Sequence, residues 1–366
     1  MNSDLGAPGT AGLAKENTAD VPGLVDKSVL LRLVPFAALM AAVLLVPNVL
    51  FRPSSSGGNY VLTVLIYVGI NTILAVGLNL LMGYAGQVSL GHAAFYGIGA
   101  YASAVLTTRT GLSPWIAMAV GVIITSVVAY LLGAQALRLH GPYLAMATLG
   151  FGVIVSIVLL QWEPMTGGTS GIFGIPSLQI GRLTFDNDVS VFYLVWGLAT
   201  VVIALSANIV HSRLGRAFRA VHGSEAAAAS LGVDTSRYKV QVFVLSAALA
   251  SVAGSLYAHY VTFISPEPFG FKFSVELMVM VVVGGMASVW GAIFGAATIT
   301  ILGELLRELG DVNIGSMGVT LSDLDVVFFG LILMVIMIYM PDGLVRSVVD
   351  AAKFSLRMAR RKKAVS

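Results

Sequence analysis

Residues 60 to 106 contain no aspartate, glutamate, lysine or arginine. A helix rises about 1.5 Å per residue and needs roughly 20 apolar residues to cross a hydrocarbon core, so this stretch is long enough for two crossings and a short connection. The pattern recurs along the chain. Hydrophobic residues make up 57% of the sequence and charged ones 11%, with a mean hydropathy of +0.90, whereas soluble domains carry about 25% charge. The chain therefore reads as an integral membrane protein. Its apolar runs are separate and of helical length, which points to an all-α polytopic bundle. A membrane barrel would alternate in period two.

Ten spans are expected, at 30–50, 60–82, 89–107, 114–136, 143–161, 189–210, 239–262, 274–287, 289–306 and 326–340. Lysine and arginine set the orientation. The loop 211–238 carries Arg213, Arg216, Arg219 and Arg237, and the tail 346–366 carries Arg346, Lys353, Arg357, Arg360, Arg361, Lys362 and Lys363. Both are expected on the cytoplasmic side, and the span count then puts the loops 162–188 and 307–325, each richer in acid than base, outside. Both termini fall inside. Residues 1–28 are small, polar and mixed in charge, and read as a disordered cytoplasmic extension before the transmembrane domain 29–345. The sequence has no cysteine, which excludes a disulfide framework or a cysteine metal site. The isoelectric point near 9.1 reflects basic loops and tail, a mark of topology rather than of nucleic-acid binding.

Two glycine-rich stretches interrupt the apolar runs. In "GYAGQVSLGHAAFYGIGAY" (83–101) the groups Gly83, Gly86, Gln87, Ser89, Gly91 and His92, with Asn79 just upstream, are candidate pathway or helix-break residues. Ser89 is placed to cap the following helix through the His92 N–H. Ser89, Ala93 and Gly97 recur every four residues as a small face for close helix packing. His92 alone reads as a packing residue, because no further ligands lie at metal spacing. In "VVVGGMASVWGAIFG" (281–295), Gly284, Gly285, Ser288 and Gly291 break what is otherwise one long helix, and such breaks point to a transport pathway. The two stretches echo each other, which suggests a five-plus-five inverted repeat. Asn71, Gln135, Gln241 and His259 are further polar groups in spans, either pore-lining or interhelical. "TGGTSGIFGIP" (166–176) is glycine-rich, but the topology puts it outside as a turn-rich loop or lid rather than a phosphate cradle.

The basic loop holds "SRLGRAFRAVHGSEAAAASLGVDTSRYKV" (212–240). Ser224 followed by Glu225 is a helix start, Ala226 to Ala229 favour helix, and Gly232 is a stop. A short projecting helix of this kind either docks in a cytoplasmic partner or is simply a solvated loop helix.

"SEAAAASLGVD" resembles the coupling loop of ABC-importer permeases, with Gly232 one place later than the general pattern. Together with "GLNLLMGYAGQVSLGHAAFYGIGAY", "HGPYLAMATLGFG", "TGGTSGI" and "MPDGL", in order over residues 60 to 345, it resembles the LivM-type branched-chain amino-acid permease family. The resemblance implies a bacterial inner-membrane, multi-pass transport subunit that is not itself an enzyme. It implies a second, LivH-like permease, two ABC ATPase subunits that use ATP and magnesium, and an extracytoplasmic binding protein delivering a small-molecule substrate. This chain would need no cofactor and has no phosphate-loop motif. The coupling role would fall to Ser224, Glu225, Ala226, Ala227, Leu231 and Gly232. Related permeases serve urea or short amides, and a stand-alone channel or secondary carrier is the competing class. The carrier is disfavoured because no expected span has an acid at its centre, Glu276 and Glu304 lying near span ends.

Overall fold

The computed structural model describes residues 58–137, 141–180 and 183–310, with single helical residues or short runs at 39–41, 43–45, 47, 330, 331 and 334. The chain divides into two compact units, Met1–Ala42 and Val43–Ser366. In the first only 39–41 are described, as helix; the helices and strands named here all belong to the second. The extension 1–28, the basic tail, and most of the expected spans 30–50 and 326–340 lie outside the described residues.

The described chain is a helical bundle. α1 (Gly58–Asn79) runs on into a π-helical turn, Leu80–Tyr84. α2 (His92–Thr110), α3 (Pro114–Ala136) and α4 (Pro142–Gln161) follow. α5 (Asp188–His211) leads into two short helices, α6 (Arg213–Gly223) and α7 (Glu225–Ser230). α8 (Thr235–Val261), α9 (Phe271–Gly284) and α10 (Val289–Gly310) follow, and a single helical turn, Glu163–Thr166, lies just after α4.

A helix that is apolar all round belongs in the middle of a bundle, and α1 is such a helix. Its span is 78% buried, against 17% for α4, whose Met146, Ile154 and Ile157 point outward. Around α1 pack α5, α8 and α10, while α2, α3 and α8 pack against one another. Apolar burial adds little between helices in lipid, so close backbone approach matters more. The α2–α8 seam shows it: a methyl group at Gly99 would overlap the Ser251 backbone, and one at Gly254 would overlap the Tyr96 carbonyl. The small face expected at Ser89, Ala93 and Gly97 is thus displaced. Ala93 is buried and Gly97 lies against the Phe269 ring, but Ser89 precedes the helix.

Six described helices are long and apolar enough to cross a membrane: Tyr60–Tyr84, Pro114–Ala136, Pro142–Gln161, Asp188–His211, Thr235–Val261 and Val289–Arg307. They match six of the ten expected spans. At the expected span 89–107 stands α2, a helix of 19 residues rich in glycine, serine and threonine. At 274–287 stands α9, whose 14 residues cover about 21 Å, less than a hydrocarbon core.

Helix directions follow from side-chain pairs. Ser246 of α8 meets both Gly77 and His92, while His259 meets Ser103. Tyr67 packs on Tyr257. α2 is therefore parallel to α8, and α1 antiparallel to it. Tyr60 bonds Glu304 and Asn79 bonds Ser288, so α10 is also antiparallel to α1. The helices after the two echoing glycine stretches thus run the same way. An inverted repeat sets matched helices in opposite directions, so this echo does not mark one.

At one end of the bundle the segments 166–180 and 183–187 fold over the helix ends. β1 (Ile172–Phe173) pairs antiparallel with β4 (Phe263–Ile264), and β2 (Gln179–Ile180) with β3 (Leu183–Thr184). Gly171 has φ 73°, and a methyl group there would overlap the Ile264 carbonyl. Gly171 thus serves the β1–β4 pairing.

Candidate functional site: two clasped helix breaks

α1 ends in steps. Its last turn widens into the π-helix, and Gly86 and Gln87 N–H groups still reach back to the carbonyls of Met82 and Leu81 at 3.1 Å each. Ala85 to Gly91 are then non-helical, with Gly86 at φ +69°. α2 starts at His92 behind an N-cap of Gly91, whose glycine supplies no side-chain bond. Ser89 does not provide the bond expected of it, because the helix begins too late. The donors are met from elsewhere. Ala93 N–H donates to Ser274 Oγ of α9 at 3.0 Å, and Leu90 N–H to Thr148 Oγ1 of α4 at 3.0 Å. Both partners are too distant in sequence for spacing to reveal them.

The break carries more polar capacity than this conformation uses. Gln87, Ser89 and His92 are 4%, 0% and 1% exposed, and the Gln87 amide atoms, Ser89 Oγ and His92 Nδ1 have no hydrogen-bond partner among the described residues. Ser246 Oγ donates to the Gly77 carbonyl at 2.7 Å and lies 3.4 Å from His92 Nε2. Its hydrogen is therefore committed, so Nε2 is the donor and Nδ1 the bare acceptor. Each buried polar group left unpaired costs about 1–3 kcal/mol.

The second break is tighter. α9 stops at Gly284, Gly285 takes φ 109° and Ala287 φ 59°, and α10 begins at Val289. Ser288 Oγ accepts from the Gly291 N–H at 3.0 Å, the capping bond expected at Ser89. Methyl groups at Gly284 or Gly291 would overlap the backbone of the other helix. The two breaks are joined. Asn79 Nδ2 donates to the Ser288 carbonyl at 2.7 Å, and its Oδ1 accepts from the Ala287 N–H at 3.0 Å. A methyl group at Gly83 would collide with that clasp. Asn79 and Gly83 beside the first break thus meet Ala287 and Ser288 of the second.

The helical hairpin α6–α7 adjoins it. α6 buries Phe218 and Val221. α7 begins as expected, Ser224 Oγ accepting from the Ala227 N–H at 3.3 Å. It ends with the paired 6→1 and 5→2 bonds Val233 N–H to Ala228 O at 3.1 Å and Gly232 N–H to Ala229 O at 3.0 Å, with Gly232 at φ 81°. Glu225 pairs with Lys239 at the start of α8. Ala226, Ala227 and Gly232 are exposed and Leu231 is 84% exposed, so the hairpin tip offers a small-residue face and one bare apolar side chain. Sequence reasoning did not single out His222. Its Nδ1–H donates to the Gly83 carbonyl at 3.0 Å, and its ring lies against Gly86. The hairpin thus touches the first break directly.

Other polar candidates are interhelical or peripheral. Asn71 donates to Thr300 Oγ1 at 2.8 Å. His259 bonds Ser103 at 2.8 Å and the Pro176 carbonyl at 2.7 Å. Gln135 and Gln241 are exposed.

The model of the family described as "Branched-chain amino acid transport system / permease component" matches residues 60–337. The chain is similar to the high-affinity branched-chain amino acid transport system permease protein LivM of Salmonella typhimurium, at 32% identity over 84% of this chain and 74% of that one. It is 34% identical to LivM of Escherichia coli K12, covering 76% and 68%. LivH of Salmonella typhimurium is 27% identical, covering 74% and 90%.

Proposed function

The chain belongs to the family of branched-chain amino-acid transport permease components, multi-pass membrane proteins, and from that premise we propose that it forms the translocation pathway of an ABC importer for branched-chain amino acids. Its partners are a LivH-like permease, two ATPase subunits that bind ATP and magnesium, and an extracytoplasmic binding protein. The assembly sits in a bacterial inner membrane, with the α6–α7 hairpin on the cytoplasmic side.

One observation carries the mechanism. The hairpin that presents Leu231 and the α7 face is bonded through His222 to Gly83, and Gly83 lies against the clasp that Asn79 makes with the second break. A partner ATPase that grips the tip and moves it on ATP binding pulls on a backbone carbonyl at a helix break. Broken helices move at lower cost than intact ones, because their backbone bonds are already redistributed to side chains. Alternating access then consists of rearranging the two breaks together. The acids Glu276 and Glu304 need no ion-coupling role, since ATP drives the cycle.

The test is reconstitution with these partners in liposomes and measurement of leucine uptake and ATP hydrolysis. Glu225→Lys and Ala227→Asp are expected to abolish uptake and weaken co-purification of the ATPases. Full uptake in both variants removes the coupling assignment, and ATP-independent leucine flux through the purified chain alone makes it a channel.

A further inference from the structure

A cleft of about 390 Å³ opens between α1, α2, α8, α9 and α10, and no residue of either break lines it. That size is within the range of small-molecule sites, roughly 300–1,000 Å³. Its floor is apolar and aromatic: Met280 and Ile299 are 1% exposed and Tyr96 2%. The Tyr257 ring lies 5.6 Å from that of Tyr96 and 6.3 Å from that of Tyr67. Its walls carry both signs of charge. Lys272 and Glu276 stand one turn apart on α9, and Glu304 and Arg307 one turn apart on α10, where they pair at 3.6 Å. Tyr60 donates to Glu304 at 3.2 Å.

Charged side chains within a membrane bundle are costly and are retained where they face a wet cavity or one another. Five such groups, the acids Glu267, Glu276 and Glu304 and the bases Lys272 and Arg307, stand around an aromatic, aliphatic floor and match one ligand chemistry well. A carboxylate suits Lys272 and Arg307. An ammonium suits Glu276 and Glu304 and the faces of the tyrosine rings. An aliphatic tail suits Met280 and Ile299. A neutral amide such as urea has no use for either charge set, and a plain carboxylate or amine uses one of them.

We propose that this cleft is the permease's own recognition site for the zwitterion of an aliphatic α-amino acid in transit. The proposal rests on the amino-acid reading above and adds a site to it. The cleft ions already engage groups of the protein, so ligand binding exchanges one set of ionic contacts for another. Affinity stays low, as release from a transit site requires.

The test uses the assembled permease–ATPase complex in nanodiscs without the binding protein, with leucine binding followed by saturation-transfer NMR. Saturable binding is expected, displaced by valine but not by 4-methylpentanoate or 3-methylbutylamine, each of which lacks one charge. This competition needs no variant. Lys272→Met and, separately, Met280→Trp in complexes that still assemble should weaken binding about tenfold or more, the effect of losing one charge-assisted bond or filling the floor. Two results overturn the cleft and leave the transport reading standing, provided that leucine uptake with the binding protein is intact. One is no leucine binding up to its solubility; the other is binding indifferent to both variants or matched by a half-charged analogue. A wild-type importer that takes up no branched-chain amino acid overturns both readings.

Discussion

Asn79 holds Ser288 by its carbonyl, Nδ2 donating at 2.7 Å, while the same carboxamide accepts from the neighbouring Ala287 N–H at 3.0 Å. One side chain thereby closes a helix break 209 residues away in sequence. Its removal takes the partner from the Ala287 N–H, at about 1–3 kcal/mol, and the second bond from the Ser288 carbonyl, which still accepts from the Ala292 N–H at 3.1 Å. Asn79→Ala is expected to lower the thermal midpoint of the purified complex and to reduce leucine uptake more than tenfold. Unchanged uptake with a normal midpoint would show that the clasp is dispensable.

His222 makes a bond of a different kind, to the Gly83 carbonyl on a half-exposed edge. Water can replace a partner there, so His222→Ala should cost little stability, about 0.5–1.5 kcal/mol. Its expected effect is on coupling: leucine taken up per ATP hydrolysed falls about two- to tenfold. His222→Asn keeps an N–H near the Nδ1 position and should recover part of that ratio. An equal loss of hydrolysis and uptake in His222→Ala would assign the residue to folding instead.

The sequence displayed the membrane class, six of the spans and both ends of α7, because each depends on neighbouring residues: apolar runs, and Ser224 and Gly232 at the ends of an alanine-rich turn. It also marked both breaks through their glycines. It misplaced the cap of α2, since Ser274 and Thr148 reach that start from other helices and no local pattern encodes them. The echo between the two glycine stretches misleads for a related reason. Glycine and serine recur wherever helices meet closely, so the likeness of 85–97 to 284–295 accompanies tight packing in two helices that run the same way. The cleft was hidden because Glu276 and Glu304 sit on two different helices, and only the fold places them on facing walls.

Two glycines test the packing argument against each other. A side chain at Gly254 would overlap the Tyr96 carbonyl of α2, whereas Gly150 on α4 has open space around it. Gly254→Val forces α2 and α8 apart, and overpacking of this kind costs about 1–3 kcal/mol or more. It is expected to abolish membrane accumulation of the protein. Gly150→Ala adds helix propensity without a clash and should leave accumulation unchanged or slightly higher. Normal accumulation of Gly254→Val would mean that the α2–α8 seam is looser than its backbone contact indicates.

Gln87 and Ser89 give a prediction of opposite sign to that for Asn79. Their side-chain atoms are buried and unpartnered in this conformation, so replacing them with apolar groups of similar shape removes a desolvation penalty instead of a bond. Gln87→Met and Ser89→Ala should therefore keep or raise the thermal midpoint. If the first break rearranges during transport, those polar atoms find their partners in the other arrangement, and the same variants stabilise one state at the expense of the cycle. Leucine uptake is then expected to fall about threefold or more while stability holds, since even 1 kcal/mol of bias shifts a two-state balance by that order. Uptake unaffected in the double variant would show that residues 85–91 stay fixed through the cycle and that the pathway opens elsewhere.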